Sequence, residues 1–236
     1  MCGRYRLKEI RAIDEVTERV FGFRMLLETP RYNVAPSQTL PVVRAHADGA
    51  PQPALMRWGL VPFWEKAEKP KIAPINARAE DVFSKPMFRQ SLQRRRCLVP
   101  ADGIYEWKKL EGDLKLPYAI QRRGGAPFWF AGIHENSTEK RPETFALLTT
   151  GPNALMERIH NRMPVMLDDD RARKWLAPGD LTESQLREYA QPYPAADMEA
   201  YVVSKLVNNP RDDPPEVSAP VEELLPPDAA GGPNSA

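Results

Sequence analysis

The sequence predicts an α+β protein, a single domain with a curved, mostly antiparallel, barrel-like β core flanked by helices. Two observations lead to this prediction. Short β-prone runs bounded by Gly, Pro, Asn and Ser recur along most of the chain, with only a few helical patterns between them. These helical patterns do not alternate with the strands in a βαβ order, so a doubly wound parallel sheet is not expected.

The predicted elements can be placed in order from the N-terminus. Residues 4–7 alternate as a strand does, apolar residues at helical spacing over residues 8–21 predict a helix ending at Gly22, and residues 31–38 predict a loop. The later β-prone runs are residues 40–44, 55–61, 96–99, 104–108, 117–122, 128–133, 144–150, 164–167 and 201–204. The later helical patterns are residues 87–93, 154–159, 169–176 and 182–189.

No internal linker divides the chain before its C-terminal part. We therefore expect one domain over residues 1–209. Residues 210–236 are predicted to be a Pro-rich acidic tail, since seven Pro follow Asn208. The last stretch of this tail is expected to be disordered.

The composition excludes several classes of protein. No apolar run approaches the roughly 20 residues of a membrane span, and charged residues begin at Arg4, so no signal peptide is expected. Two Cys and three scattered His show neither a disulfide framework nor metal-ligand spacing. These features predict a protein of a reducing cytosol, with no membrane contact and no metal.

The net charge of +1 hides an asymmetry between the two halves of the chain. Residues 1–125 hold 23 Lys and Arg against 14 Asp and Glu, whereas residues 126–236 hold 10 against 18. This split predicts a local surface for an anionic ligand. The alternative is that charges from both halves mix on the folded surface.

Cys2 stands out because removal of Met1 would place it at the N-terminus. It would then carry an α-amine and a thiol on adjacent carbons, with reference pKa values of about 7.7–8.0 and about 8.5. Such a 1,2-aminothiol condenses with an aldehyde to an imine, which its thiol closes to a thiazolidine. The alternative is a disordered start whose second residue happens to be Cys.

Two stretches carry groups suited to nucleic acid. Residues 57–64 (RWGLVPFW) hold Trp58, Phe63 and Trp64 beside Gly and Pro, and these rings suit base stacking, although aromatic residues in a β core are commoner. Residues 75–80 (INARAE) hold Asn76, suited to positioning a carbonyl or hydroxyl, and Arg78, suited to a phosphate. The alternative for the second stretch is a helix start capped by Asn76.

Two further stretches carry groups suited to proton transfer. Glu106 lies between aromatic residues in residues 97–107 (CLVPADGIYEW); facing inward it would have its pKa raised by desolvation, and facing outward it would be a surface charge. His160 and Arg162 lie in residues 159–166 (IHNRMPVM), which suits an acid–base group beside a phosphate contact. A His capping the end of a helix is the alternative.

Taken in order, the motifs of this chain resemble those of the SRAP family, the SOS-response-associated or abasic-site-processing proteins. They are MCGRY, RYNVAPSQ, RWGLVPFW, INARAE with PMFR, RRCLVPADGIYEW, TTGPN and IHNRMPVML. The resemblance covers residues 2 to about 209. It implies the SRAP fold and a protein that shields abasic sites in single-stranded DNA during the DNA damage response through a covalent crosslink, with a minor strand-cleaving (AP-lyase) activity.

The resemblance also implies four catalytic residues. Cys2, after loss of Met1, would form the thiazolidine crosslink with the ring-opened abasic aldehyde. Asn76 would position the sugar, and Glu106 would orient and exchange protons with the sugar oxygen and the amine. His160 would shuttle protons in ring opening and imine formation. Catalysis on this scheme needs no cofactor, and the protein is expected to act as a monomer in the bacterial cytosol or nucleoid.

The DNA contacts implied by the resemblance are of two kinds. Arg4, Arg78 and Arg162 would contact phosphates, and Trp58, with Phe63 or Trp64, would form a stacking wedge. The sequence departs from common family members at Asn161, where they carry an acid before the Arg.

Two other functions remain open at this point. The first is a thiol-dependent peptidase or autoprotease that removes Met1, with Cys2, His160 and Glu106 as nucleophile, base and orienting group. The second is a non-catalytic module that binds single-stranded or modified DNA, whose salt-sensitive binding would not depend on Cys2.

Overall fold

The computed structural model describes residues 2–25, 27–45, 49–65, 67, 70–112 and 114–221, and it confirms a mixed α+β domain. The helices in these residues are α1 (Ile10–Phe21), α2 (Pro86–Arg94), α3 (Ala154–Glu157), α4 (Asp169–Leu176) and α5 (Glu183–Tyr189). The strands are β1 (Tyr5–Leu7), β2 (Arg31–Val34), β3 (Thr39–Ala45), β4 (Pro51–Trp58), β5 (Asn76–Arg78), β6 (Arg96–Ala101), β7 (Gly103–Lys109), β8 (Lys115–Arg122), β9 (Phe128–Glu135), β10 (Thr144–Thr150), β11 (Met163–Pro164), β12 (Met166–Leu167) and β13 (Met198–Val202).

One sheet holds the N-terminus in place. Its strand order is β13-β8-β7-β1-β2, and every neighbouring pair is antiparallel. Strand β1 therefore lies inside the sheet, hydrogen-bonded to β2 on one side and to β7 on the other. Cys2 comes just before this internal strand, so its position is set by pairing on both sides.

The second sheet forms a ring of hydrogen-bonded strands. This ring corresponds to the predicted barrel-like core, although it is not a closed barrel. Strands β10, β4, β3, β6 and β9 follow one another, and β9 pairs again with β10. Strand β10 pairs in parallel with β4 and β5, whereas the other pairings in this sheet are antiparallel. The mostly antiparallel character predicted from sequence is confirmed.

Apolar side chains fill the space between the sheets and under the helices. Tyr5, Trp58 and Phe145 belong to the main cluster, where the Trp58 and Phe145 rings stack in parallel. A second cluster, which includes Trp129 and Trp175, lies between the ring of strands and helices α2 and α4. Within the described residues, no helix is both long and apolar enough to cross a membrane.

A buried ion pair joins β1 to the corner between β6 and β7. Arg6 Nε lies 2.7 Å from Asp102 Oδ1, and neither side chain reaches solvent. The Asp102 carboxylate also accepts hydrogen bonds from the backbone amides of Lys8 and Glu9, just before α1. A Cβ atom on Gly103 would lie 2.5 Å from Arg6 Nε, so the corner needs glycine for this close approach.

The structure corrects three sequence-based expectations about secondary structure. The predicted loop at residues 31–38 begins with strand β2, and INARAE forms strand β5 instead of a capped helix start. Strand β4 starts at residue 51, not 55, and includes Pro51 and Pro53. Proline is tolerated there because β4 pairs with β10 only at Arg57 and Trp58, which leaves its earlier residues on an edge.

Ordered packing continues past the predicted domain end at residue 209. The Asp213 carboxylate accepts hydrogen bonds from the backbone amides of Tyr32 and Asn33, and Val217 is buried. The first part of the predicted tail therefore covers β2. The predicted disorder of the chain end concerns residues 222–236, which lie outside the described residues.

Candidate active site

Cys2 and Asn76 are joined directly. The Asn76 side chain donates a hydrogen bond of 2.8 Å from Nδ2 to the carbonyl oxygen of Cys2. Because β5 pairs in parallel with β10, Asn76 is fixed beside Leu147 while its side chain reaches the N-terminal segment. The Asn76 Oδ1 atom is buried and has no hydrogen-bond partner among the described residues, so it is available to a ligand.

Glu106 faces inward, as one of the two sequence interpretations expected. It lies on β7 opposite Tyr118 of β8, and its side chain is almost completely buried. Burial raises the pKa of Glu106 to about 7. A carboxyl group with this pKa can both donate and accept a proton near neutral pH.

The Cys2 thiol is buried and lies within electrostatic range of Glu106. Burial, with a smaller contribution from the Glu106 charge, raises the pKa of the Cys2 thiol well above its ordinary value. The thiol is therefore protonated at neutral pH. A buried neutral thiol is a poor nucleophile by itself and becomes useful when a strong electrophile forms next to it.

His160 is held in one tautomer by the backbone. It follows α3, and its Nδ1 atom accepts a hydrogen bond of 3.1 Å from the backbone amide of Arg162. With Nδ1 as the acceptor, the proton of the neutral ring is on Nε2. Burial lowers the pKa of His160 below its usual value, so the neutral imidazole predominates near pH 7.

Glu106 and His160 line one cleft of about 790 Å³. Its wall also includes Trp107, Arg158 and the lysines near the end of the β7–β8 hairpin. Cys2 is not part of this lining, but it lies within electrostatic range of Glu106. The arrangement therefore brings Cys2, Asn76, Glu106 and His160 to one region from four separate parts of the chain.

Arg162 is paired with a carboxylate that the sequence analysis had not assigned to it. Its two terminal nitrogens lie 2.8 and 2.9 Å from the two oxygens of Glu80, and one also donates to the carbonyl oxygen of Thr149. Glu80 thus supplies the negative partner that the neighbouring Asn161, an uncharged residue, cannot supply. Arg78, which lies two residues after Asn76 on β5, is exposed.

Arg4 is tied into the protein. Its Nη1 atom donates hydrogen bonds of 2.7 Å to Asn33 Oδ1 and to the carbonyl oxygen of Val207, and its guanidinium lies 5.9 Å from the Trp107 ring centre. Any phosphate contact by Arg4 would have to come from its remaining nitrogens. These contacts also connect β1, β2 and the segment after β13 near the cleft.

Trp58 does not form part of a stacking surface, which corrects the sequence-based expectation. It has no exposed surface, and its indole Nε1 donates to the carbonyl oxygen of Ile75. Phe63 and Trp64 are instead 59% and 47% exposed and pack edge to face with ring centres 4.9 Å apart. The exposed aromatic pair is therefore the part of RWGLVPFW available to a base.

Sequence reasoning missed the polar residues that support this region. Glu80 lay inside a recognised motif, but its contact with Arg162 joins positions 82 apart in the chain. The cleft-lining Lys108 was counted only as the end of a predicted strand, and Lys109 lay just outside it. The sequence signal for them was the basic excess of residues 1–125, which did not indicate where those charges would meet.

Comparison with known proteins places the chain in a family. Residues 1–210 match the family model described as SOS response associated peptidase (SRAP). The abasic site processing protein YoqW of Bacillus subtilis is 43% identical over 224 residues, covering 92% of this chain and 98% of that protein. The abasic site processing protein YedK of Escherichia coli is 33% identical over 230 residues, covering 94% and 100%.

The fold agrees with this result. An X-ray structure of a protein from Bacteroides thetaiotaomicron superposes with a TM-score of 0.77 at 28% identity, covering 93% of this chain and 100% of that one. Among animal proteins, the abasic site processing protein HMCES of Gallus gallus is 33% identical over 232 residues, covering 84% of this chain and 68% of that protein. The chain belongs to the SRAP family, and its relatives are abasic site processing proteins.

Proposed function

We propose that this protein captures abasic sites in single-stranded DNA as a covalent thiazolidine formed by Cys2 after Met1 has been removed. The observation that carries the proposal is that Cys2, hydrogen-bonded to Asn76, lies within electrostatic range of a buried Glu106 whose pKa is about 7, at a cleft also lined by His160. This arrangement provides a latent aminothiol, a carboxyl group that can exchange protons and a neutral imidazole. An aldehyde is the electrophile that uses all three.

The first step opens the sugar. An abasic deoxyribose is mostly a closed hemiacetal, so its C1′ hydroxyl must lose a proton while its ring oxygen gains one. His160 and Glu106 are the two groups at the cleft that can make these transfers near neutral pH. The free Oδ1 of Asn76 can accept a hydrogen bond from a sugar hydroxyl and so hold the opened chain in place.

The second step joins protein and DNA. The neutral α-amine of Cys2 adds to the C1′ aldehyde, and loss of one water gives an imine. The thiol sulfur then bonds to the imine carbon, and the thiol proton passes to the nitrogen. Glu106 can donate a proton to the departing water and recover one afterwards, which fits a carboxyl pKa of about 7.

The state of the thiol favours this chemistry over peptide hydrolysis. Cysteine peptidases need a thiolate, whereas burial raises the pKa of Cys2 and the nearby Glu106 raises it further. Attack on an imine has no such requirement, because the electrophile is strong and the thiol proton has an acceptor in the imine nitrogen. We therefore place aldehyde capture before the peptidase and autoprotease alternative.

The DNA-binding part of the proposal rests on one exposed cation and one exposed aromatic pair. Arg78 is exposed, and Phe63 with Trp64 presents aromatic surface. Arg162 is mostly buried and is paired with Glu80. Phosphate contacts and base stacking give affinity without reading sequence. These contacts suit a single strand, because stacking needs unpaired bases.

The test is incubation of the full chain with a single-stranded oligonucleotide containing one abasic site, followed by a denaturing gel. Wild type and Cys97→Ala are expected to give a shifted band, and Cys2→Ala none. Cys97 is a matched control because it is also a buried free thiol. A shifted band with Cys2→Ala would refute the proposal. So would the absence of a shifted band with wild-type protein whose intact mass shows that Met1 has been removed.

A second variant separates the imine from the thiazolidine. Cys2→Ser keeps the α-amine but lacks the thiol, so its imine should survive denaturation only after borohydride reduction. The unclosed imine also allows β-elimination of the 3′ phosphate, so strand cleavage should increase in this variant. Absence of a reducible adduct in Cys2→Ser would show that the amine does not attack first.

A further inference from the structure

One wall of the cleft is cationic, and among the described residues its charges form no ion pair. Lys108 and Lys109 lie at the end of β7, Lys115 begins β8, and Arg158 follows α3; all four line the cleft that holds Glu106 and His160. We call these four residues the hairpin wall. Within the described part of the chain, no carboxylate lies within ion-pair distance of any of them.

The hairpin register brings two of these charges together. Lys109 of β7 lies directly opposite Lys115 of β8. Like charges at directly opposite positions of an antiparallel pair destabilise it. The hairpin therefore carries a repulsion that a bound anion would relieve.

These cations are close enough to the acid–base groups to act on the same ligand. Lys109 is among the charges that lower the pKa of His160, after burial. Burial raises the pKa of Tyr118, which lies opposite Glu106 in the β7–β8 register, and the positive charge of Arg158 opposes this rise. An anion held by the hairpin wall would thus lie beside the sugar-binding part of the cleft.

We propose that the hairpin wall binds phosphates of the same DNA strand that carries the abasic site, at nucleotides next to the trapped sugar. This inference rests on the proposed function and extends it, since Arg78 and Arg162 lie outside the lining of the cleft. The strand then passes between two groups of cations, with the abasic sugar between them. Repeated phosphates match several adjacent cations in a way that a single small anion does not.

The experiment measures the affinity of the full chain for an undamaged single strand as a function of salt concentration. Lys109→Gln combined with Lys115→Gln is expected to reduce the slope of log affinity against log salt by about 1.4, since each lost phosphate contact on a single strand contributes about 0.7. The matched control is Lys140→Gln with Lys174→Gln, two exposed lysines outside the cleft. Lys109→Arg with Lys115→Arg should retain the wild-type slope.

The same variants distinguish this inference from the proposed function. With a long abasic strand at low salt, the double Gln variant should crosslink more slowly than wild type. With free 2-deoxyribose, which carries the aldehyde but no phosphate, the two should react alike. An unchanged salt slope in the double Gln variant would overturn the inference while leaving crosslinking intact. A second outcome would also overturn it. If inorganic phosphate raised the melting temperature of wild type but not of the double Gln variant, while both had the same salt slope for DNA binding, the wall would be a site for a free anion.

Discussion

Arg162 and Glu80 form a two-point ion pair, with N–O distances of 2.8 and 2.9 Å, between positions 82 residues apart in the chain. Arg162 is mostly buried, whereas about half of the Glu80 side chain is exposed. The carboxylate thus lies between Arg162 and solvent. It orients the guanidinium, and it also opposes the approach of a phosphate.

The first prediction concerns this pair. Glu80→Gln should raise affinity for single-stranded DNA several-fold at low salt and steepen the salt slope by about 0.7, because one more cation becomes available. The free energy of unfolding should fall by no more than about 1 kcal/mol, since half-exposed ion pairs contribute little. Fluorescence anisotropy across a salt series and urea unfolding measure the two quantities. Weaker DNA binding by Glu80→Gln would contradict this prediction. It would show that Glu80 helps binding by orienting Arg162 more than it hinders binding by neutralising its charge.

The second prediction concerns pH and Glu106. Its folded-state pKa of about 7 exceeds the ordinary 4.5, so the folded protein binds this proton more tightly than the unfolded chain does. The resulting stabilisation is fully present below pH 4.5 and is lost as the pH rises to about 7, a change on the order of 3 kcal/mol. Glu106→Gln should remove this part of the pH dependence. Urea unfolding of both proteins at several pH values measures it, and parallel curves would contradict it.

The third prediction concerns His160. His160→Gln should slow crosslinking of an abasic strand by about 100-fold, as expected for loss of an acid–base group. With an oligonucleotide that carries an open alkyl aldehyde instead of a sugar, the same variant should react nearly as fast as wild type, because no ring has to open. Equal slowing with both substrates would assign His160 to imine formation instead. Single-turnover rates on denaturing gels provide the comparison.

The fourth prediction separates the two kinds of aromatic residue in RWGLVPFW. Trp64→Ala should weaken single-strand binding by about 1–3 kcal/mol, the usual contribution of one stacked base, and leave thermal stability unchanged. Trp58→Ala should instead lower the free energy of unfolding by about 3–5 kcal/mol, since it empties a buried site. Anisotropy and thermal melts distinguish them. Loss of stability in Trp64→Ala would contradict the assignment.

The sequence was informative where one residue type dictates the local structure. Helical spacing ended by Gly22 predicted α1, and Gly22 indeed adopts a left-handed conformation with its amide bonded to Glu18. Strand β5 could not be recognised, because it has three residues and owes its form to parallel pairing with β10. Local composition indicated a helix cap at Asn76. Pairing with β10, some 70 residues further along the chain, makes this segment a strand instead.

In the candidate site, too, residue types could be read from the sequence but their geometry could not. The chemistry of Cys2, Glu106 and His160 could be suggested from residue type and family resemblance. The inward direction of Glu106 and the tautomer of His160 could not, since both depend on contacts made in the fold. Trp58 was misassigned because the sequence pattern of an aromatic residue beside Gly and Pro is the same in a buried core and on a binding surface.

The internal position of β1 has a consequence for the order of events during synthesis. Its residue Tyr5 pairs with Val34 on one side and with Ile104 on the other. The start of the chain leaves the ribosome first, but it finds its second partner only after more than a hundred residues have been made. Because Cys2 is fully enclosed once the sheet forms, an aminopeptidase has its best access to the Met1–Cys2 bond while the chain is still nascent. The reactive end is thus synthesised first and enclosed late, so a delay in processing Met1 would leave a folded protein without its free aminothiol.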